Sequence, residues 1–194
     1  MSTLEQIKKL REMTGAGIVE VKKALDENNG DEEKTIETLR KSGQAKALKK
    51  ADRNASEGII GVYVHSNQKI AAMVKVFCET DFVARNEDFQ AFAQDIAMHI
   101  TATDPKCLYP EDVDADFIEK EKEIWAEQLK GEGKPEEIME KIMKGKEQKL
   151  RSETALLSQA FVKNPDKTVE DLMNELVVKI GEKIEIKEFA RFSF

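Results

Sequence analysis

The sequence predicts an α+β protein in which a bundle of short helices precedes a core built on a small antiparallel sheet. Two changes of period carry that expectation. Residues 1–54 place apolar side chains at helical spacing and hold no alternating run, whereas residues 58–77 and 184–194 alternate as strands do. Charged residues make up 36% and apolar ones 40%, with four prolines, which fits helices with solvated faces rather than a disordered chain.

The helices come first. Leu4, Ile7 and Leu10 recur at helical spacing, and Ser2 or Thr3 can cap the start. Gly15 and Gly17 interrupt that helix, and Val21, Ala24 and Leu25 supply the stripe of a second. Asn28-Asn29-Gly30-Asp31 reads as a turn in which Asp31 caps a third helix, with Ile36 and Leu39 on its core face. Residues 45–54 read as a charged connecting helix. There Lys46, Lys49, Lys50 and Arg53 share one face, either as a patch for a partner or as a solvated linker.

Next come Ile60, Val62 and Val64, alternating with Gly61, Tyr63 and His65. A turn at Ser66-Asn67-Gln68 then leads to Ile70–Phe77, which makes a hairpin. Residues 86–102 return to helix through Phe89, Phe92, Ile96 and Ile100, and Asp104-Pro105 ends it. Phe117–Lys130 forms a charged helix with Ile118, Trp125 and Leu129 to bury, and the Gly131–Pro135 segment breaks it. Helical patterns resume from Glu136 to about Lys144, over 146–161 and over 168–179. At the C-terminus Ile184, Ile186, Ala190, Phe192 and Phe194 point one way. Glu188 interrupts that face, as on an edge strand. The domains expected are 1–54 and 55–194.

Composition narrows the function. A net charge of -7 and a pI near 5.1 argue against nucleic acid as the main partner, since phosphate binding needs concentrated basic surface. Residues 1–54 hold twelve basic and ten acidic side chains, so the negative charge lies beyond them. Cys78 and Cys107 are too few for a disulfide scaffold and suggest a reducing compartment. His65 and His99 have no cysteine at metal-ligand spacing. With no basic leader and no run of about 18 apolar residues, a cytoplasmic protein without membrane contact is expected. Paired carboxylates in a recognisable setting, a nucleophile with its base and a phosphate-cradling loop are all missing, which argues against an enzyme.

The segment Thr80-Asp81-Phe82-Val83-Ala84-Arg85-Asn86 lies between hairpin and helix, where binding residues concentrate. From the residues alone, Thr80 or Asp81 caps a short turn, Phe82 packs on the core and Asn86 caps the longer helix.

That segment resembles the Thr-Asp-Phe-Val-Ala-Arg-Asn signature of the elongation factor Ts family. Leu10–Gly17, Lys22–Leu25, Asn29-Gly30-Asp31, Lys49-Lys50-Ala51, Tyr63-Val64-His65, Ile96–Ile100, Gly133-Lys134-Pro135 and Phe189–Phe192 match in family order across the chain. Departures are Lys183 where an Asn usually follows Gly-Glu, Glu188 in place of a basic residue, and Ser66-Asn67 in place of a glycine-rich tip.

The resemblance implies a ubiquitin-associated-like three-helix module followed by a core with a three-stranded antiparallel sheet. It implies a guanine nucleotide exchange factor without covalent chemistry or cofactor. The partner it implies is elongation factor Tu, GDP-bound and nucleotide-free, and the resemblance to the short form of the family implies a homodimer in a 2:2 complex. By similarity Thr80, Asp81, Phe82 and Val83 contact the partner beside its Mg²⁺ site, with Phe82 as the wedge. Ile18, Val19 and His65 add contacts, while Arg85 and Asn86 shape the loop. His99 is expected to be structural. A ubiquitin-associated-like adaptor without exchange activity is the alternative.

Overall fold

Thr3 opens the first helix with a reciprocal cap. Its hydroxyl accepts from the Gln6 N–H at 3.2 Å, while the Gln6 side chain accepts from the Thr3 N–H at 3.1 Å. The computed structural model describes residues 3–130 and 135–194. The expected chain break at Gly131–Pro135, apart from Pro135, lies outside the described residues.

Three helices form the N-terminal bundle: α1 (Leu4–Thr14), α2 (Ile18–Glu27) and α3 (Glu32–Leu48). Gly15, at φ +68°, ends α1 in the left-handed conformation and donates to the Arg11 carbonyl. Asp31 caps α3 by accepting from the Lys34 N–H at 3.1 Å. Ile7, Leu10, Ala16, Val21, Ala24, Leu25 and Leu39 close the core, with Ile36 against it. Leu4 instead points to solvent. Steps of three residues drift by about 60° each around a helix, so Leu4 has turned about 120° away from Leu10.

The separate connecting helix expected at 45–54 does not form. α3 runs on to Leu48, and turns carry the chain through residues 49–53. Gly43 does not break α3; it lies beside Val178, where a Cβ would sit 3.4 Å from that side chain.

Among the described residues five strands follow: β1 (Glu57–Val64), β2 (Ile70–Cys78), β3 (Ala160–Phe161), β4 (Asn164–Thr168) and β5 (Glu185–Ser193). β1, β2 and β5 make the three-stranded antiparallel sheet, in that order. Between β2 and the longer helix lies a four-residue helix, α4 (Asp81–Ala84), and then α5 (Glu87–Thr103). The inward positions Gly61, Ala72, Val74, Val76 and Ile186 are buried. Gly61 passes so close to α5 that a Cβ there would collide with the Ala93 carbonyl.

The outward face carries three cross-strand rows: Ile60–Lys75–Glu188, Val62–Met73–Ala190 and Val64–Ala71–Phe192. A bulge leaves Lys187 unmatched, since Lys75 faces Glu188 while Val76 faces Ile186. The bulge therefore splits the apolar face expected for the last strand. Ile184 and Ile186 are buried, whereas Phe192 and Phe194 are exposed. Glu188 pairs with Lys75 at 2.5 Å on the outer face, and β5 lies at the sheet edge.

The chain divides into two compact units, one taking Met1–Thr101 with Glu170–Phe194 and the other Ala102–Val169. The second unit contains α6 (Ala115–Lys130) and α7 (Glu136–Thr154). α7 runs through Gly145, where a break was expected; Glu147 ties it to Lys122 of α6 at 3.1 Å and pairs within the helix with Arg151 at 2.9 Å. The helix expected over 146–161 stops at Thr154. There Lys106 N–H donates to the Thr154 carbonyl and Leu156 N–H to the Cys107 carbonyl, so residues 155–156 pair with the segment after α5. A short β3–β4 hairpin then replaces helix. α8 (Val169–Ile180) follows, starting in the second unit and continuing in the first. Among the described residues no helix is long and apolar enough to cross a membrane.

Gly61→Ala should lower stability by about 1–3 kcal/mol through overpacking against α5. Urea unfolding should show a reduced midpoint at unchanged slope.

Candidate functional site

The signature loop starts where β2 ends. Cys78 is buried, and its thiol donates to the Thr80 carbonyl at 3.2 Å. Thr80 is extended (φ -126°, ψ 155°) and caps α4, its hydroxyl accepting from the Val83 N–H at 3.4 Å. Asp81 and Arg85, one turn apart, form an exposed ion pair at 3.0 Å. Such an exposed pair contributes little stability.

Past α4 the chain is fixed again. Ala84 is buried, and Asn86 caps α5 by accepting from the N–H groups of Asp88 at 2.9 Å and Phe89 at 3.3 Å. Phe89 is fully buried. The expected capping roles of Thr80 and Asn86 are therefore present. The packing expected from residue pattern alone is not: Phe82 is 80% exposed. With Ala84 on the buried side of a one-turn helix, Phe82 falls on the opposite side. Val83 is half-buried between them.

Two carboxylates hold this loop from behind. Glu182, just past α8, accepts from the N–H groups of Glu79 and Thr80 at 3.1 Å each and from the Thr80 hydroxyl at 2.7 Å. Glu79 accepts from the Lys183 N–H at 2.6 Å and pairs with Arg53 at 3.3 Å. The Lys183 N–H, then Arg53, hold the Glu79 carboxyl below the usual carboxylate range, against the opposing effect of desolvation. Sequence reading missed both residues as site elements. Glu182 lies 103 positions from Glu79, so no local spacing could join them.

The other candidates are also outward. Ile18 and Val19 sit in the first turn of α2, 57% and 82% exposed, rather than in the bundle core. His65 stands at the hairpin tip, exposed, with its Nδ1 3.4 Å from the Tyr63 hydroxyl. His99 is fully buried on α5. The basic stripe is largely engaged within the chain: Lys46 pairs with Glu20 at 2.6 Å, Lys50 donates to the Gly181 carbonyl, and Arg53 holds Glu79.

Among the described residues no group of three or more His, Cys, Asp or Glu side chains could hold a metal. Both thiols are free. Burial pushes the Cys78 thiol up to about 11, with Glu182 and Glu57 adding to the rise, and Cys107 is raised mainly by burial.

An apolar ring exposed on a doubly capped loop is the kind of feature that protein recognition uses. A family model described as Elongation factor TS matches residues 4–194. The chain is 52% identical over 192 residues to an elongation factor Ts of Acetivibrio thermocellus, covering 99% of this chain and 89% of that one. It is 52% identical over 193 residues to one of Thermosipho melanesiensis, covering 100% and 98%. For one of Geobacter sulfurreducens the figure is 50% over 190 residues, covering 98% and 88%. The chain belongs to the elongation factor Ts family, a family of translation elongation factors.

Cys78 offers a check on the root of the loop. At about pH 8 its alkylation should run at least a hundredfold slower in the native protein than in urea, as followed by peptide mass spectrometry. Equal rates would contradict the burial.

Proposed function

We propose that this chain is the guanine nucleotide exchange factor of elongation factor Tu and acts without covalent chemistry, in the cytoplasm. The observation that carries the reading is the 80% exposure of Phe82 within the family signature. A large apolar ring kept in water between two fixed caps gains most from entering a partner's pocket.

The mechanism is displacement. A translational GTPase holds GDP through a phosphate loop and Mg²⁺, which screen the phosphate charge. Phe82 enters beside those elements, Asp81 adds polar contacts, and Thr80 and Val83 complete the face around them. Arg85 and Asn86 keep the loop in shape. Ile18 and Val19 give the module of residues 1–54 a second apolar contact, and His65 a third at the hairpin tip, while residues 55–194 form the core. Each tenfold loss of GDP affinity corresponds to about 1.4 kcal/mol of coupling. Because the coupling is reciprocal, returning nucleotide loosens the factor, which dissociates and acts again.

A homodimer completes the proposal, giving a 2:2 complex with elongation factor Tu. Support comes from the outer sheet face, where Ile60, Val62, Val64, Met73 and Phe192 are exposed side by side. Such a continuous apolar face suits pairing with a second copy. Val62→Asp should convert a species of twice the chain mass into monomer in sedimentation velocity. A wild-type protein sedimenting as monomer at micromolar concentration would refute the dimer.

The exchange reading is tested by release of a fluorescent GDP analogue from elongation factor Tu. Wild-type protein should accelerate release, and Phe82→Ala should lose about tenfold or more of that acceleration. Wild-type protein that leaves release unchanged ends the reading; equal acceleration by both proteins removes Phe82 from it.

A further inference from the structure

We propose that Glu182 is a positioning residue for the Phe82 loop, fixing the direction in which α4 projects its ring. The inference rests on the exchange reading and adds to it a residue outside the signature. α4 has only four residues, and a single turn has no stability of its own. Its internal cap, Thr80 hydroxyl to Val83 N–H, is long at 3.4 Å. The shorter bonds come from Glu182, which takes both N–H groups of residues 79–80 on one oxygen and the Thr80 hydroxyl on the other.

The pairing is reciprocal. While the Glu182 side chain holds the backbone of 79–80, the Glu79 side chain holds the backbone of Lys183 at 2.6 Å. The two segments thus clasp each other in both directions. The turn itself is set by the end of α8, where Gly181 adopts φ +89° and donates to the Val177 carbonyl at 2.9 Å. On its far side the same turn holds the chain after α3: Lys50 donates to the Gly181 carbonyl, and Lys183 Nζ donates to the Ala51 carbonyl at 2.7 Å. Gly181–Lys183 therefore anchors the Phe82 loop and the segment that follows the bundle bearing Ile18 and Val19.

The chemistry of the clasp makes it separable from charge. In Glu182→Gln, the amide oxygen can accept the two N–H groups and the amide nitrogen can donate to the Thr80 hydroxyl. In Glu182→Ala all three bonds are lost and two N–H groups are left without their acceptor.

The test measures GDP release from elongation factor Tu over a range of factor concentrations for wild type, Glu182→Ala, Glu182→Gln and Phe82→Ala. Amide hydrogen exchange of the free proteins is followed in parallel. Glu182→Ala should lower the limiting release rate about tenfold and raise amide exchange at Glu79 and Thr80 by a similar factor, with α5 amides unchanged. Glu182→Gln should stay within about twofold of wild type in both readouts. Wild-type release by Glu182→Ala, with Phe82→Ala defective, would overturn the positioning role and leave the exchange reading standing. Loss of protection throughout α5 would make Glu182 a general fold residue and would also overturn it. If wild-type protein does not accelerate release, the exchange reading fails and the positioning role falls with it.

Discussion

A phenylalanine side chain gains about 1.5–3 kcal/mol on full burial, so a ring left in water must be kept from folding back. The rest of the first unit can be understood from that constraint on Phe82. Before the ring, residues 78–80 are fixed by the buried Cys78 and by the carboxylate of Glu182. After it, Ala84 is buried, and the Asn86 cap leads into α5 and the fully buried Phe89. One turn of helix between these fixed points leaves no slack for the ring to reach the core.

The sheet provides the base for that arrangement. β2 is its central strand, so the segment leading to the loop is hydrogen-bonded on both sides. Gly61 lets α5 lie against the sheet, and Lys179 of α8 pairs with Asp88 at the start of α5 at 2.7 Å. α8 thereby delivers Gly181–Lys183 to the back of the loop. The bulge at Lys187 has a separate effect: it keeps Ile186 inside while turning Glu188, Ala190 and Phe192 to the outer face.

Much of this was legible in the sequence because the signals were local. The caps at Thr3, Asp31, Thr80 and Asn86 lie within three residues of the amides they serve. The hairpin of β1 and β2 followed from alternation and a polar turn. What failed was non-local. The end of α7 at Thr154 reflects pairing with residues near Cys107, and the β3–β4 strands are too short to show a period. The last strand's face was misread because a bulge adds one residue without a sequence mark. The outward direction of Phe82 could not come from pattern alone, since an isolated aromatic beside a capped turn packs inward as readily. Glu182 was invisible for the same reason: its partners lie a hundred residues away in a segment that reads as complete.

The most direct measurement is fluorine NMR of protein carrying 4-fluorophenylalanine at position 82. Free protein should give a narrow resonance at the shift of a solvated ring. In the nucleotide-free complex with elongation factor Tu, the resonance should broaden and move as the ring becomes enclosed. A buried-type resonance in the free protein, or one that keeps its position and width in the complex, would contradict the account.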